Sequence, residues 1–192
     1  MLKELIIHAA AGTSAGDDQS MVLLKEKDGD RILPVLISAQ AASIMLMRAH
    51  VNTIMSLPLP VSPADISVIL MQKFGIKLTH VELTHLKDGV FFCRVVGQRE
   101  DDVQSVDLCQ APDGLLMAVV AKCPIMIDEE LLEAQYMHPT GEHSFALNIN
   151  TLSRKMLEDA LQYAVDTENY ETASRLRDEL AKRSPQTETP EE

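Results

Sequence analysis

The chain has 192 residues, 46% of them apolar and 24% charged, which is the composition of one globular domain with a small appendage and excludes a disordered or fibrous chain. It carries 17 Lys plus Arg against 29 Asp plus Glu, a net charge of −12, which argues against a protein held on nucleic acid mainly by bulk positive charge. Trp is absent and aromatics are 4%, which argues against a base-stacking platform.

Residues 2–8 read as a first strand, and Lys3, Glu4 and His8 within them make a poor signal peptide. Residues 9–19 are small and polar, a loop. Two hairpins are predicted, 21–27 with 31–37 across Asp28-Gly29 and 77–86 with 90–96 across Asp88-Gly89. An Asp-Gly step tolerates the positive φ angles of a tight turn and so fixes the register of its strands. Between the hairpins, a helix runs from Ser38 to about His50 and is apolar nearly all round, as a packed helix is. The apolar stretch 32–47 contains Pro34, Ser38, Gln40 and Ser43, too short and interrupted to span a bilayer. A second helix starts at Ser62-Pro63-Ala64-Asp65, with an N-cap serine, Pro at the first position and an acid in the first turn. It stops at Phe74-Gly75.

A strand follows at about 103–108, then a helix from Pro112-Asp113 through GLLMAVVA, a short strand at 125–127 and a short acidic helix at 128–136. Residues 138–150 read as a linker, 151–183 as two helices and 184–192 as a disordered acidic tail. The expected architecture is α+β, a mixed and mainly antiparallel sheet with packed helices over residues 1–137, followed by a two-helix hairpin. Cys93, Cys109 and Cys123 form no CxxC pair, so they read as small buried hydrophobes of a reducing, cytoplasmic protein. The ten methionines fall in apolar runs and read as core filler.

In the hairpin, Leu157, Leu161, Ala164 and Val165 share one helix face, Glu168 or Asn169 breaks the helix, and Tyr170, Ala173, Leu176 and Leu180 recur on the next. Half a dozen buried apolar side chains are too few to order thirty residues by themselves. The hairpin is therefore expected to lean on a partner surface, either a similar hairpin on a second copy or another protein, or its own domain.

The stretch LEDALQYAVDTENYETASRLRDEL (157–180), above all Tyr170, Glu171, Ala173, Leu176, Arg177 and Asp178, resembles the UVR motif of excinuclease subunits B and C. The resemblance implies a helical hairpin for protein–protein contact through Tyr170, Glu171, Ala173, Leu176, Arg177 and Leu180. Residues 2–140, through DGDRILPVLIS (28–38) and VDLCQAPDGLLMAVVAKCPI (106–125), resemble the bifunctional nuclease domain family. That implies an α+β fold, self-association into a homo-oligomer and nuclease activity on DNA and RNA. Where the family has Glu-Ala early in the first helix, this chain has Ala41-Ala42. Where it has Arg-Pro before the second helix, this chain has Leu59-Pro60. The Asp-x-Arg-Pro-Ser-Asp run becomes Asp107-Leu108-Cys109-Gln110-Ala111-Pro112-Asp113.

Asp107 at a strand end and Asp113 in the next helix's first turn are the candidate catalytic residues. With Asp65 they form a candidate ligand set for Mg²⁺ or Mn²⁺, which bind oxygen ligands and activate water beside a phosphate. The alternative for Asp65 and Asp113 is stabilisation of a helix N-terminus. Arg94 could hold a phosphate, or pair across strands with Glu82. His80 and Glu82 are expected on one strand face and His85 on the other. Two functions follow, a metal-assisted nuclease with a contact hairpin, or a catalytically degenerate oligomeric adaptor acting through that hairpin.

Overall fold

The computed structural model describes residues 1–12, 18–50, 61–141, 144–146 and 148–183. The acidic tail, residues 13–17 of the expected loop, and Met55 in the segment 51–60 lie outside the described residues. Seven strands form one sheet in the order β3-β2-β1-β7-β4-β5-β6. They are β1 Leu2–Gly12, β2 Gln19–Glu26, β3 Ile32–Ser38, β4 Lys77–Lys87, β5 Val90–Arg99, β6 Asp102–Gln110 and β7 Ile125–Asp128. All neighbours are antiparallel except β4 and β7. Helices α1 Ala39–His50, α2 Pro63–Lys73, α3 Ala111–Ala121 and α4 Glu129–Gln135 pack against the sheet. The fold is α+β, as the sequence predicts.

β1 continues to Gly12, past the expected end at residue 8, through an irregularity at His8. Its small residues Ala9 to Ala11 are held there by pairing with Leu23, Val22 and Met21 of β2, so the partner strand overrides weak intrinsic strand preference. The two Asp-Gly turns differ. Asp88 and Gly89 take φ of 52° and 80°, the left-handed pair of a tight hairpin. Asp28 and Gly29 do not take positive φ, because a wider loop is closed by the Glu26 N–H donating to the Arg31 carbonyl. A Cβ at Gly29 would sit 2.2 Å from Oε2 of Glu26, a buried carboxylate that accepts from Arg31 Nε and Nη2 at 2.9 Å each. The residues 138–150, read as a linker, contain a short strand pair, β8 His138–Gly141 with β9 Ser144–Ala146, and a 3₁₀ turn at Ile149–Thr151.

The core is built where α3 meets the sheet. Ala111, Gly114, Leu115 and Ala118 are buried on one face at helical spacing. The small residues let α3 lie so close to β5 that a Cβ at Gly114 would be 2.3 Å from Cys93 Sγ. Leu24, Leu33, Met45, Leu83, Leu115, Ile127 and Leu132 are fully buried around this contact, each contributing about 1.5–3 kcal/mol. Met45 and Met21 are core residues as expected, but Met47 is exposed.

Helices α5 Arg154–Asp166 and α6 Tyr170–Lys182 form the hairpin. Ser153 caps α5 and Asn169 caps α6, each side chain accepting from a first-turn N–H. Leu157, Ala164, Ala173 and Leu176 make a second, separate core, with Ile149, Leu152, Ala160, Leu161 and Leu180 packed against it. Val165, expected on that face, is 45% exposed. Arg183, which the sequence places only among the basic residues at the end of the last helix, closes the base. Its side chain is 4% exposed and donates to the carbonyls of Leu152 (2.6 Å), Asn150 (3.1 Å) and Ile149 (3.3 Å), and to Glu179. The base in turn rests on the β4–β5 turn, where a Cβ at Gly89 would come within 2.4 Å of the Leu152 carbonyl oxygen. Arg183→Ala is expected to cost about 2–3 kcal/mol, because three partly buried carbonyls lose a charged donor. Urea unfolding measures the loss, and amide exchange should quicken first at Ile149–Thr151 and the end of α6.

Candidate active site

Asp65 is the third residue of α2 and is fully engaged. Its Oδ2 accepts from the Ser62 N–H (2.7 Å) and the Ser62 hydroxyl (2.6 Å), completing a capping box. The Arg48 guanidinium, from the end of α1, grips both oxygens in a fork at 2.5 and 2.7 Å. The pair is largely buried, 12% and 15% exposed. Burial pushes the Asp65 carboxyl up, but Ser62 and Arg48 outweigh it and hold the carboxyl below its usual range. Asp65 therefore ties α1 to α2, with both of its oxygens already engaged. The sequence signal was Arg48 itself, a fixed charge inside an otherwise apolar helix that needed an acid opposite it.

Asp107 and Asp113 lie at the junction of β6 and α3. Asp107 is exposed, and its Oδ1 accepts from Arg94 Nε. Arg94 also faces Glu82 at 3.7 Å, so Glu82, Arg94 and Asp107 form a row across β4, β5 and β6. Arg94 follows Cys93, which points at α3, and strand alternation puts the row on the opposite sheet face. The structure thus gives Arg94 two carboxylate partners, including the cross-strand one expected. Asp113 is exposed in the first turn of α3, whose N-cap Gln110 makes no side-chain cap hydrogen bond. Both aspartates lie close enough to Cys109 to raise its thiol pKa, after the larger effect of burial. Cys93, buried beneath α3, is pushed up to about 12, chiefly by burial and then by Cys109.

The three aspartates do not converge. Among the described residues no three His, Cys, Asp or Glu side chains are gathered to hold one ion. Asp107 on β6 and Asp113 on α3 keep exposed side chains, carboxylates of the kind that Mg²⁺ or Mn²⁺ takes singly or in pairs while keeping several waters. His85 is also placed differently from the expectation. The β4 register slips between Leu83 and His85, so His85 pairs with Phe92 on the same face as Glu82 and Arg94. Its ring stacks on Phe92 with centroids 4.8 Å apart.

Of the hairpin residues expected to touch a partner, Tyr170 is 68% exposed, and Glu171 and Arg177 are exposed. Ala173 and Leu176 are instead buried between α5 and α6, with Leu180 packed beside them. Tyr163, 71% exposed, adds an aromatic the sequence reading missed.

The bifunctional nuclease domain model matches residues 22–140, more than half of the chain. The chain belongs to that family. The UvrB/uvrC motif matches residues 148–182, the α5–α6 hairpin with its lead-in. The chain is 26% identical over 191 residues to Bifunctional nuclease 2 of Arabidopsis thaliana, covering 85% of this chain and 55% of that protein. It is 28% identical over 116 residues to an uncharacterized protein of Mycobacterium tuberculosis strain H37Rv, covering 60% of this chain and 65% of that one. The chain therefore spans less than two thirds of each relative. Among the described residues no helix is long and apolar enough to cross a membrane.

The Arg48–Asp65 pair gives a pH prediction. A carboxyl held low in the fold stabilises the protein above the unfolded value of about 3.9, and that contribution is lost as pH falls through the lower folded value. Asp65→Asn should cost about 3 kcal/mol at neutral pH. The gap between wild type and variant, followed by denaturant titration at several pH values, should close only below about pH 4.

Proposed function

We propose that this chain hydrolyses phosphodiester bonds of DNA or RNA at the β6–α3 junction, with Asp107 and Asp113 as the catalytic carboxylates. The observation that supports this reading is the placement of two exposed carboxylates beside Cys109, next to a guanidinium, within a domain whose family and named relative are nucleases. Mg²⁺ or Mn²⁺ held by Asp107 and Asp113 would neutralise charge on the scissile phosphate and ease deprotonation of water. Arg94 exchanges its Asp107 partner for phosphate oxygens, which its planar fork matches in two-point contact. Because the pair is half exposed, breaking it costs little. Asp107 is then left to the ion. The net charge of −12 means that affinity comes from this local site and not from a broad basic face.

The test uses labelled single- and double-stranded DNA and RNA, with Mg²⁺, Mn²⁺ or chelator. Cutting should require metal. Asp107→Asn and Asp113→Asn should each lower it roughly 100-fold, with unfolding midpoints unchanged because both side chains are exposed. Metal-independent cutting, or cutting unaffected by both variants, would remove the proposal and leave the adaptor reading.

The hairpin supports a second role alongside the first. Its own core is closed by Leu157, Ala164, Ala173 and Leu176, yet Tyr163, Val165 and Tyr170 stay exposed. Exposed aromatics of this kind anchor protein contacts. We infer that these three residues, with Glu171 and Arg177, meet the hairpin of a second copy. Sedimentation across a concentration series should show a dimer that Tyr163→Ser with Tyr170→Ser weakens at least tenfold. A wild-type monomer at every concentration would move the contact to a different protein.

A further inference from the structure

Cys93 of β5 and Cys109 of β6 are directly opposed in the antiparallel ladder. Opposed residues point to the same face, with Cα atoms about 4.5–5.5 Å apart. A disulfide accepts Cα separations of about 4.4–6.8 Å. Both residues belong to the cluster under α3, Cys93 fully buried and Cys109 partly exposed at its rim. Cys93 Sγ lies directly under Gly114, where an added Cβ would sit 2.3 Å from it, and the thiol donates to the carbonyl of Gln110, the residue after Cys109, at 3.6 Å. Cys123 pairs with neither, since it lies at the other end of α3. The spacing of 16 residues in sequence hides this pair, and only the β5–β6 register reveals it.

We propose that Cys93 and Cys109 are a site of oxidative cross-linking between β5 and β6. Hydrogen peroxide, entering from solvent, oxidises the reachable Cys109 thiol to a sulfenic acid and is itself reduced to water. The Cys93 thiol then attacks that sulfur, forming the disulfide and releasing a second water. Two thiols thus give up two hydrogens and two electrons to one peroxide. The bond ties down β6, an edge strand paired on one side only, and with it the backbone that carries Asp107 and leads into Asp113. The cross-link does not depend on the nuclease reading, since mass alone detects it.

The folded full chain is treated with hydrogen peroxide, free thiols are alkylated, and the digest is mapped by mass spectrometry. The expected product is a Cys93–Cys109 linked peptide, lighter by two hydrogens and restored by a thiol reductant. Cys123→Ser should leave the yield unchanged, while Cys93→Ser and Cys109→Ser should each abolish it. Amide exchange across residues 102–110 should slow at least tenfold in the oxidised protein. Three results would overturn the proposal: alkylation of both thiols after exhaustive oxidation, a link that involves Cys123, or Cys109 taking up oxygen without joining Cys93. Should the cross-link form while Asp107→Asn cuts nucleic acid normally, the nuclease reading fails and this one stands.

Discussion

The close seating of α3 on β5 organises the domain. Gly114 leaves no room for even one carbon between the helix and Cys93, and Ala111 and Ala118 extend the flat contact along the helix. Interiors pack at crystal density, so a helix set this close transmits its position to whatever its ends carry. One end carries Asp113, six residues after Asp107 of the strand that feeds the helix. The other leads through Lys122, with a φ of 55°, into β7, the strand that joins β1 to β4 in the middle of the sheet. The candidate catalytic carboxylates and the cysteine pair are both products of this single contact.

Charge is used in two distinct ways. Arg48 and Asp65 are largely buried and meet in a two-point contact, with Ser62 donating twice more to Oδ2. Glu26 is likewise buried and is held below its usual range first by Arg31. These are fixed features, because a buried charge without its partner is costly. Arg94 and Asp107 are half exposed. An ion pair of that kind is cheap to exchange, as the proposed uptake of phosphate and a cation would require. Exposure, not the identity of the residues, separates the anchoring acids from the available ones.

The hairpin is a second structural unit with its own economy of packing. Two short helices bury too little to stand alone, and the structure supplies the missing support locally. The 3₁₀ turn and Leu152 add apolar surface, and Arg183 ties the last turn of α6 to the carbonyls that precede α5. Closing the core internally leaves Tyr163 and Tyr170 exposed. Residues that recur at helical spacing are therefore divided between the hairpin's own interior and its outer surface.

The sequence by itself determined the α+β class, both hairpins, the caps of α2 and the helical pair, because each rests on periodicity, turn chemistry or capping between near neighbours. It also named Asp107, Asp113 and Asp65, and the likeness to the two families. Only the tertiary structure decided which of those aspartates stays exposed. Asp65 is claimed by Arg48, 17 residues away on another helix, while His85 changes face through a one-residue slip in β4. The Cys93–Cys109 register and the Arg183 clasp were equally invisible. Each depends on contacts between segments distant in the chain, and local propensity carries no record of which distant group will fill a given side chain's hydrogen bonds or lie across from it in a sheet.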